Sequence, residues 1–404
     1  MDSMGPQAGA TGRYARKKEA IIAAAAGIIN RRGVKGMTLA DVAASVDLIT
    51  TSVTYYFKKK EDLAVACFLA SIERFDTLIS ASLGARDPRE RLHRFLVLYL
   101  ELNKRIRQGE DAPMAMFNDI RALKEPHLSR VTEPYNNLFR KVRTLFDGTP
   151  GIERKMATAR THVLMEQIFW SVAWLARYDV EDYPRIAERM FDILSNGLAL
   201  EGAAWTPQQV AGLTPPADSA RETFLVAATR LINASGYRGA SVEKISAQLN
   251  VTKGSFYHHN EHKDDLVVAC FDRSFDIMKR VQSAAMKQPG DHWQRLASAA
   301  AALAQYQVSE SGPLLRTSAI SALPEPIRSG MLGQWSRISD RFSAMISDGI
   351  AEGSLRPVDP VIAAQLLNAT LNAAASLMNV VGGVARDEAA GLYARPMLMG
   401  LFSK

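Results

Sequence analysis

Displaced by 203 positions, the chain lies over itself: residues 19–68 align with 222–271 without a gap, and 16 of the 50 pairs are identical. Asn30 meets Asn233, Gly33 meets Gly236, Ser52 meets Ser255, Leu63 meets Leu266, and the block 65–68 recurs letter for letter at 268–271. Farther on the offset drops to 200, where Ile120, Ala122, Leu123, Glu125 and Pro126 match Ile320, Ala322, Leu323, Glu325 and Pro326, as a short deletion would require. Solenoid units run to about 20–50 residues, so a repeat of about 200 is a duplicated small protein and not one layer of an array. Whatever one copy folds into, the chain makes twice. Between the copies, residues 205–217 carry three prolines and no charge, the composition of an exposed linker.

Each copy reads as helix. Ile21, Ile22, Ala25, Ile28 and Ile29 form an apolar stripe at helical spacing, as do Phe224, Leu225, Ala228, Leu231 and Ile232. Long helical patterns follow at about 61–82, 89–107, 153–178 and 183–200, with counterparts in the second copy, and alternating strand patterns are absent. The longest uncharged stretch, 361–385, has the length of a membrane span, but Gln365, Asn368, Thr370, Asn372, Ser376 and Asn379 interrupt it and Ala fills most of the rest. A buried helix packed closely on others is the expected outcome, and no membrane partner is expected. The two cysteines, Cys67 and Cys270, cannot build a disulfide framework, and no secretory leader is recognisable, so a reducing cytoplasm is the expected compartment. A net charge of +7 permits a polyanionic partner without identifying one.

Within each copy the order is a long helix, a glycine turn (Gly33; Gly236), a short helix (Leu39–Ser45; 242–248), a tight turn and a second short helix (Thr50–Tyr56; 252–259). That is the helix-turn-helix arrangement, whose second short helix enters the DNA major groove. Thr38 and Ser241 stand where a hydroxyl caps a helix start. The segment Thr252-Lys-Gly-Ser-Phe-Tyr-His-His259, followed by Lys263-Asp-Asp-Leu266, resembles the recognition helix and following turn of the TetR family of bacterial transcriptional regulators. The first copy, Thr51-Ser-Val-Thr-Tyr-Tyr-Phe57 with Lys60-Glu-Asp-Leu63, is similar but more divergent. It has Thr50 and Thr51 where the family usually has Lys-Gly and Thr54 where it usually has Tyr, while the second has Asn260 in place of Phe.

The resemblance implies an all-α chain of two tandem TetR-like halves. Each half would hold a three-helix DNA-binding head (13–68; 219–271) and a larger helical ligand-binding and dimerisation domain (69–202; 272–404), joined by a linker at 203–218. It implies phosphate contacts from Thr38, Tyr56, Lys60, Ser241, His259 and Lys263, which suits hydroxyls at helix starts and flexible ammonium groups. Thr50, Thr51, Tyr55, Lys253, Gly254, Tyr257 and His258 would face the groove. The alternatives are packing within the head for Tyr55 and Tyr257, and a solvated face for Lys58 and Lys59. Residues 13–68 hold ten Lys or Arg against five acids and residues 221–271 six against five, so the first head supplies more non-specific phosphate attraction.

Beyond the heads, Phe117, Met165, Phe169, Trp170, Trp174, Met331 and Trp335 are candidates to line a pocket for a small apolar or aromatic effector; plain core packing is the alternative. His258 and His262 have the spacing of a helical zinc pair, but no third ligand accompanies them and the resemblance already accounts for the adjacent histidines, so no metal is expected. No nucleotide-binding, hydrolase or metalloprotease motif occurs, which leaves an enzyme without a catalytic residue or cofactor to name. The expected function is a ligand-responsive repressor that grips an imperfectly palindromic double-stranded operator as a single-chain pseudo-dimer. In single-module relatives the last two helices of each subunit form a four-helix interface, and here their counterparts are 156–178 with 183–200 and 359–382 with 386–402. The alternative is a ligand-binding or protein-interaction module with degenerate heads.

Overall fold

The computed structural model describes residues 6–211, 220–236, 240, 242–249 and 263–404. Apart from turns and connecting segments, they are helical. The first half contains α1 (Pro6–Gly36), α2 (Leu39–Ser45), α3 (Thr50–Tyr56), α4 (Lys60–Ser82), α5 (Pro88–Gln108), α6 (His127–Arg143), α7 (Arg154–Leu175) and α8 (Tyr183–Asn196). The second contains α9 (Ala220–Ser235), α10 (Val242–Leu249), α11 (Lys263–Met286), α12 (His292–Gln307), α13 (Glu325–Glu352), α14 (Pro360–Ala374), α15 (Leu377–Val380) and α16 (Arg395–Met399). Among the described residues the only strand-like pairing is an isolated antiparallel bridge between Ala199 and Leu355.

Local chemistry accounts for the boundaries. Asp359 caps α14 by accepting from the N–H groups of Val361 and Ile362, each at 3.0 Å, and Pro360 occupies the first helical position, where its missing N–H costs nothing. The charge-free stretch does become a buried helix, but a shorter one than its apolar length suggests. It stops at Ala374, and α15 is a separate turn. Nor is 386–402 one helix: a 3-10 turn, a π-turn at 390–394 and α16 follow one another there. Pro396 has no N–H to continue an α-ladder, which explains the wider turn before it. Helix α6 was not legible in the sequence because Pro134 lies in its interior, where proline normally argues against a helix.

Two compact units result. One comprises residues up to Thr77 together with Arg105–Leu138; the other comprises Leu78–Lys104 and Phe139–Lys404. In the first unit Ile21, Ala25, Val42, Val53, Leu63 and Phe68 form the core of a small three-helix head. Phe117 packs between Phe75 and Tyr135, at ring separations of 5.7 and 5.3 Å.

In the second unit α7 of the first half packs along α14 of the second. Gln167 Nε2 donates to Thr370 Oγ1 at 3.0 Å, and Trp170 Nε1 donates to Gln365 Oε1 at 3.0 Å. The buried Ala363, Ala364, Ala369, Ala373 and Ala374 of α14 leave room for bulkier neighbours. Beyond these helices the C-terminal ends of the two halves cross. Leu198 and Ala199 donate their N–H groups to Leu398 O at 2.8 and 3.1 Å, and Leu401 N donates to Leu194 O at 2.7 Å. Gly197 and Gly400 sit at the crossing with φ of 69° and 96°; a Cβ on Gly197 would lie 2.3 Å from Leu398 O, and one on Gly400 2.4 Å from Ser195 O. Only glycine fits either place. These residues again differ by 203, so the repeat reappears here as an approximate two-fold relation within one chain.

The segment read as an exposed linker is partly tethered. Trp293 Nε1 donates to Ala204 O at 3.1 Å, Gln208 N donates to Ser298 Oγ at 2.9 Å, and Val210 is buried, so residues 204–210 run along α12. Side chains on α12 thus hydrogen-bond backbone groups on either side of Pro207.

Candidate nucleic-acid interface

Helices α2 and α3 occupy the ranges that the sequence assigns to them. Thr38 caps α2: its Oγ1 accepts from Asp41 N at 3.1 Å and donates to Asp41 Oδ2 at 2.8 Å. Val53 and Phe57 pin the inner face of α3 into the head. The outer face carries Thr50, Thr51 and Tyr55, all exposed, with Tyr55 at 68% exposure. Thr54 turns inward on itself, with its hydroxyl donating to Thr50 O and Thr51 O at 3.2 and 2.9 Å.

Tyr56 is half-buried, and its ring lies 4.7 Å from that of Tyr14 and 5.3 Å from that of Tyr55. Tyr14 lies on the basic N-terminal stretch of α1 beside Arg13, Arg16 and Lys17, so this stretch is fastened to the recognition helix by aromatic contacts. No local signal in the sequence around Tyr14 points to this contact, which joins residues some forty positions apart. Lys60 Nζ donates to the carbonyls of Lys35 and Met37 at 3.1 and 3.4 Å, which brings its ammonium to the segment immediately preceding Thr38. Lys58 and Lys59 are exposed.

Of the second head's predicted contacts, Ser241, Lys253, Gly254, Tyr257, His258 and His259 lie outside the described residues, as do His262 and the helix expected at 252–259. Lys263 opens α11 and is half-buried. Gly33 and Gly236 both hold left-handed φ, 69° and 72°, as the glycine turns require.

Each head is clamped to a strap of extended chain. Asn30 of α1 donates from Nδ2 to Met114 O at 2.7 Å and accepts from Met116 N at 2.8 Å, while Ser71 Oγ accepts from Ala115 N at 2.8 Å. In the second half Asn233 donates to Leu314 O at 2.9 Å and accepts from Arg316 N at 2.9 Å, and Ser274 Oγ accepts from Leu315 N at 2.9 Å. The identity of Asn30 with Asn233 was a visible signal; Ser71 and Ser274 keep the 203 spacing just past the aligned block. Beside each clamp lies a buried thiol, Cys67 or Cys270, and burial pushes both thiols up to about 12.

The proposed pocket residues divide between the units. Phe117 belongs to the first. In the second, the Trp170 and Trp335 rings meet edge to face at 5.7 Å, Trp335 lies 6.3 Å from Phe275, and Met165, Phe169, Trp174 and Met331 are buried. The indole N–H groups of Trp174 and Trp335 are buried without a hydrogen-bond partner. Among the described residues no group of three His, Cys, Asp or Glu side chains converges as a metal site would require, and no helix is long and apolar enough to cross a membrane.

The model of the bacterial regulatory proteins, tetR family, matches twice, at 21–67 and 224–270, and the tetracyclin repressor-like C-terminal domain model matches 289–401. Together they cover about half of the sequence. The chain belongs to the TetR family. A curated relative, the transposon Tn10 TetC protein of Escherichia coli, is 27% identical over 135 residues, an alignment that spans 33% of this chain and 66% of the relative. Among solved structures, apo AibR is 20% identical over 44% of this chain and 98% of its own, with a TM-score of 0.37. A TetR-family transcriptional regulator from Bordetella parapertussis 12822 is likewise 20% identical, over 44% of this chain and 92% of its own, with a TM-score of 0.38. AibR is also known in complex with isovaleryl coenzyme A and operator DNA; that structure covers 45% of this chain and 98% of its own at 20% identity, with a TM-score of 0.37. The chain is thus an all-α TetR-type regulator with two helix-turn-helix heads.

Proposed function

We propose that this TetR-family chain is a ligand-responsive repressor that supplies both recognition helices of a dimer from one polypeptide and grips an imperfectly palindromic operator. The observation that carries this reading is the crossing at Gly197 and Gly400, where equivalent residues of the two halves meet within one chain. In single-module relatives that role falls to two separate subunits. We assign heads to 13–68 and 219–271, helical domains to 69–202 and 272–404, and the linker to 203–218. A tether of about 15 residues raises the local concentration of one half near the other to roughly millimolar, so pairing within the chain outcompetes pairing between chains at low concentration.

Thr50, Thr51 and Tyr55 on the first head, and Lys253, Gly254, Tyr257 and His258 on the second, are assigned to bases. Thr38, Tyr56, Lys60, Ser241, His259 and Lys263 are assigned to phosphates. Because the two reading surfaces differ in charge and size, the half-sites differ. An apolar or aromatic effector held near Trp170 and Trp335 changes the separation of the heads, and a shift of a few ångströms against half-sites about 34–36 Å apart costs contacts on one side.

Selection from random duplex DNA followed by sedimentation tests this. One chain per selected duplex and an asymmetric inverted repeat are expected. Two chains on one short duplex, or a perfect palindrome, would refute the single-chain pseudo-dimer, and failure to select any sequence at physiological salt would favour degenerate heads. Lys60→Ala should weaken all binding and lower the salt slope by about one unit.

A further inference from the structure

Among the differences between the two straps, one places a charged side chain that leads away from the head. In the first half the last residue held by the clamp is Met116; 200 positions on it is Arg316. Arg316 N is held by Asn233, while its guanidinium reaches α7 of the first half, where a terminal nitrogen lies 2.9 Å from Glu166 Oε1. The two side chains are only 12% and 17% exposed, so the pair forms largely out of water. Glu166 also accepts from Asn372 Nδ2 at 3.3 Å, and Asn372 Oδ1 accepts from Thr317 N at 3.2 Å, which ties the same carboxylate to the strap by a second route. His162, one turn earlier on α7, approaches Glu166 Oε1 at 3.8 Å and hydrogen-bonds the buried Tyr393 hydroxyl at 2.6 Å.

At the 203 offset Glu166 corresponds to Ala369 and Asn372 to Phe169. With Met116 and Ala369 at the equivalent places, the other strap has no such pair to make. We propose that Arg316 is a positioning residue of the second DNA-binding head, locking its strap to the first half's α7 so that a shift of α7 is passed through Asn233 to α9. A largely buried ion pair suits this role because it tolerates little displacement: moving either partner leaves a charge both desolvated and unpaired. The repeat has thereby acquired a one-sided connection, and a signal arriving at the inter-half helices is delivered to the second head by a route that the first does not possess.

Hydrogen exchange on the full chain, read peptide by peptide and without DNA, tests the inference separately from any operator binding. In Arg316→Met, exchange across 220–235 and 312–317 should rise about tenfold while 13–36 and 112–117 stay within about twofold. Glu166→Gln, which keeps the shape and loses the charge, should give a smaller rise in the same peptides. Exchanging the pair, Glu166→Arg with Arg316→Glu, should return α9 most of the way to its original protection, which a purely steric role for either residue would not allow. Equal loosening of both heads, unchanged exchange in α9, or an exchanged pair no better protected than the single variants would overturn the proposal.

Discussion

In the first head Asp119, on the 3-10 turn after the strap, accepts a hydrogen bond from Val34 N at the glycine kink in the last turns of α1. Asp62 of α4 meets His127 at 3.2 Å and Arg130 at 3.0 Å on α6. In the second head Ala319, Ile327 and Gly330 stand at the equivalent places, 200 residues on, and Arg316 reaches for Glu166 instead. Duplication preserved the clamp made by Asn30 or Asn233 and by Ser71 or Ser274. What is fastened to the clamp diverged. One head adds carboxylate contacts from Asp62 and Asp119 within its own half; the other holds its own strap through Arg273 and Arg230 and adds an arginine that reaches the half that precedes it. The shared part of the design fits the common task of presenting a recognition helix, and the divergent part gives the two copies different dependencies.

The shared part should respond alike on both sides, and it gives the largest effect. Gly197→Ala and Gly400→Ala each force a Cβ onto backbone at under 2.5 Å in a left-handed conformation. Each should cost about 3 kcal/mol or more, read as a fall in thermal midpoint. Near-equal losses would support the approximate two-fold relation. A large loss at one glycine and none at the other would mean that the crossing is not a shared element.

The divergent part should respond unequally. Gly33→Ala and Gly236→Ala both place a side chain at positive φ, but the first also presses its Cβ to 2.9 Å from Asp119 Oδ2, whereas the second meets nothing within 4 Å among the described residues. Gly33→Ala should therefore be the more damaging of the two. Asp119→Ala should cost about 1–3 kcal/mol in the first head, because it leaves the N–H of the buried Val34 without its acceptor. Denaturant unfolding of each variant checks both statements, and equal costs for the two glycines would remove Asp119 from the account.

These contrasts also explain what the sequence could convey. Helices α2 and α3 were legible to the residue because their signals are local: the Thr38 cap, the apolar spacing of Val42 and Val53, and the turn between them. The crossing at Gly197 and Gly400 was not, since nothing in Ser195-Asn-Gly-Leu198 states which backbone will approach it. The Asp62, Asp119 and Arg316 connections were equally hidden, because a charged residue in a sequence reads as surface until its partner is known. The predicted pocket mixed residues of both units for a related reason: apolar bulk marks burial and leaves open which core receives it.

Cys67 and Cys270 offer a direct comparison of the heads. Both thiols are buried and pushed up to about 12 by desolvation, so neither is a competent nucleophile in the folded protein at neutral pH. Iodoacetamide should react with each only when its own head opens. Asp119→Ala should speed alkylation of Cys67 alone and Arg316→Met that of Cys270 alone, each by about tenfold for 1.4 kcal/mol of local destabilisation. If both cysteines responded to both substitutions, the heads would open as one unit and their separate fastenings would have no separate effect.

The smallest effect expected is one of pH, at the α4–α6 contact of the first head. Burial works against the charge on Asp62, yet the hydrogen bonds from Arg130 and His127 outweigh it and hold the carboxyl below the ordinary range. A carboxylate depressed in the folded state stabilises that state at pH above its unfolded value, near 4, and this contribution fades as pH falls through the depressed value. Acid should therefore loosen the α4–α6 contact of the first head below about pH 4. Hydrogen exchange across 60–68 and 127–138, corrected for the intrinsic effect of pH on exchange, should rise between pH 5 and pH 3. Asp62→Asn should abolish the rise, since an amide keeps the shape of the contact and cannot lose a charge. An acid response that persisted unchanged in Asp62→Asn would assign it to other groups, and Asp62 would then drop out of the comparison of the two heads.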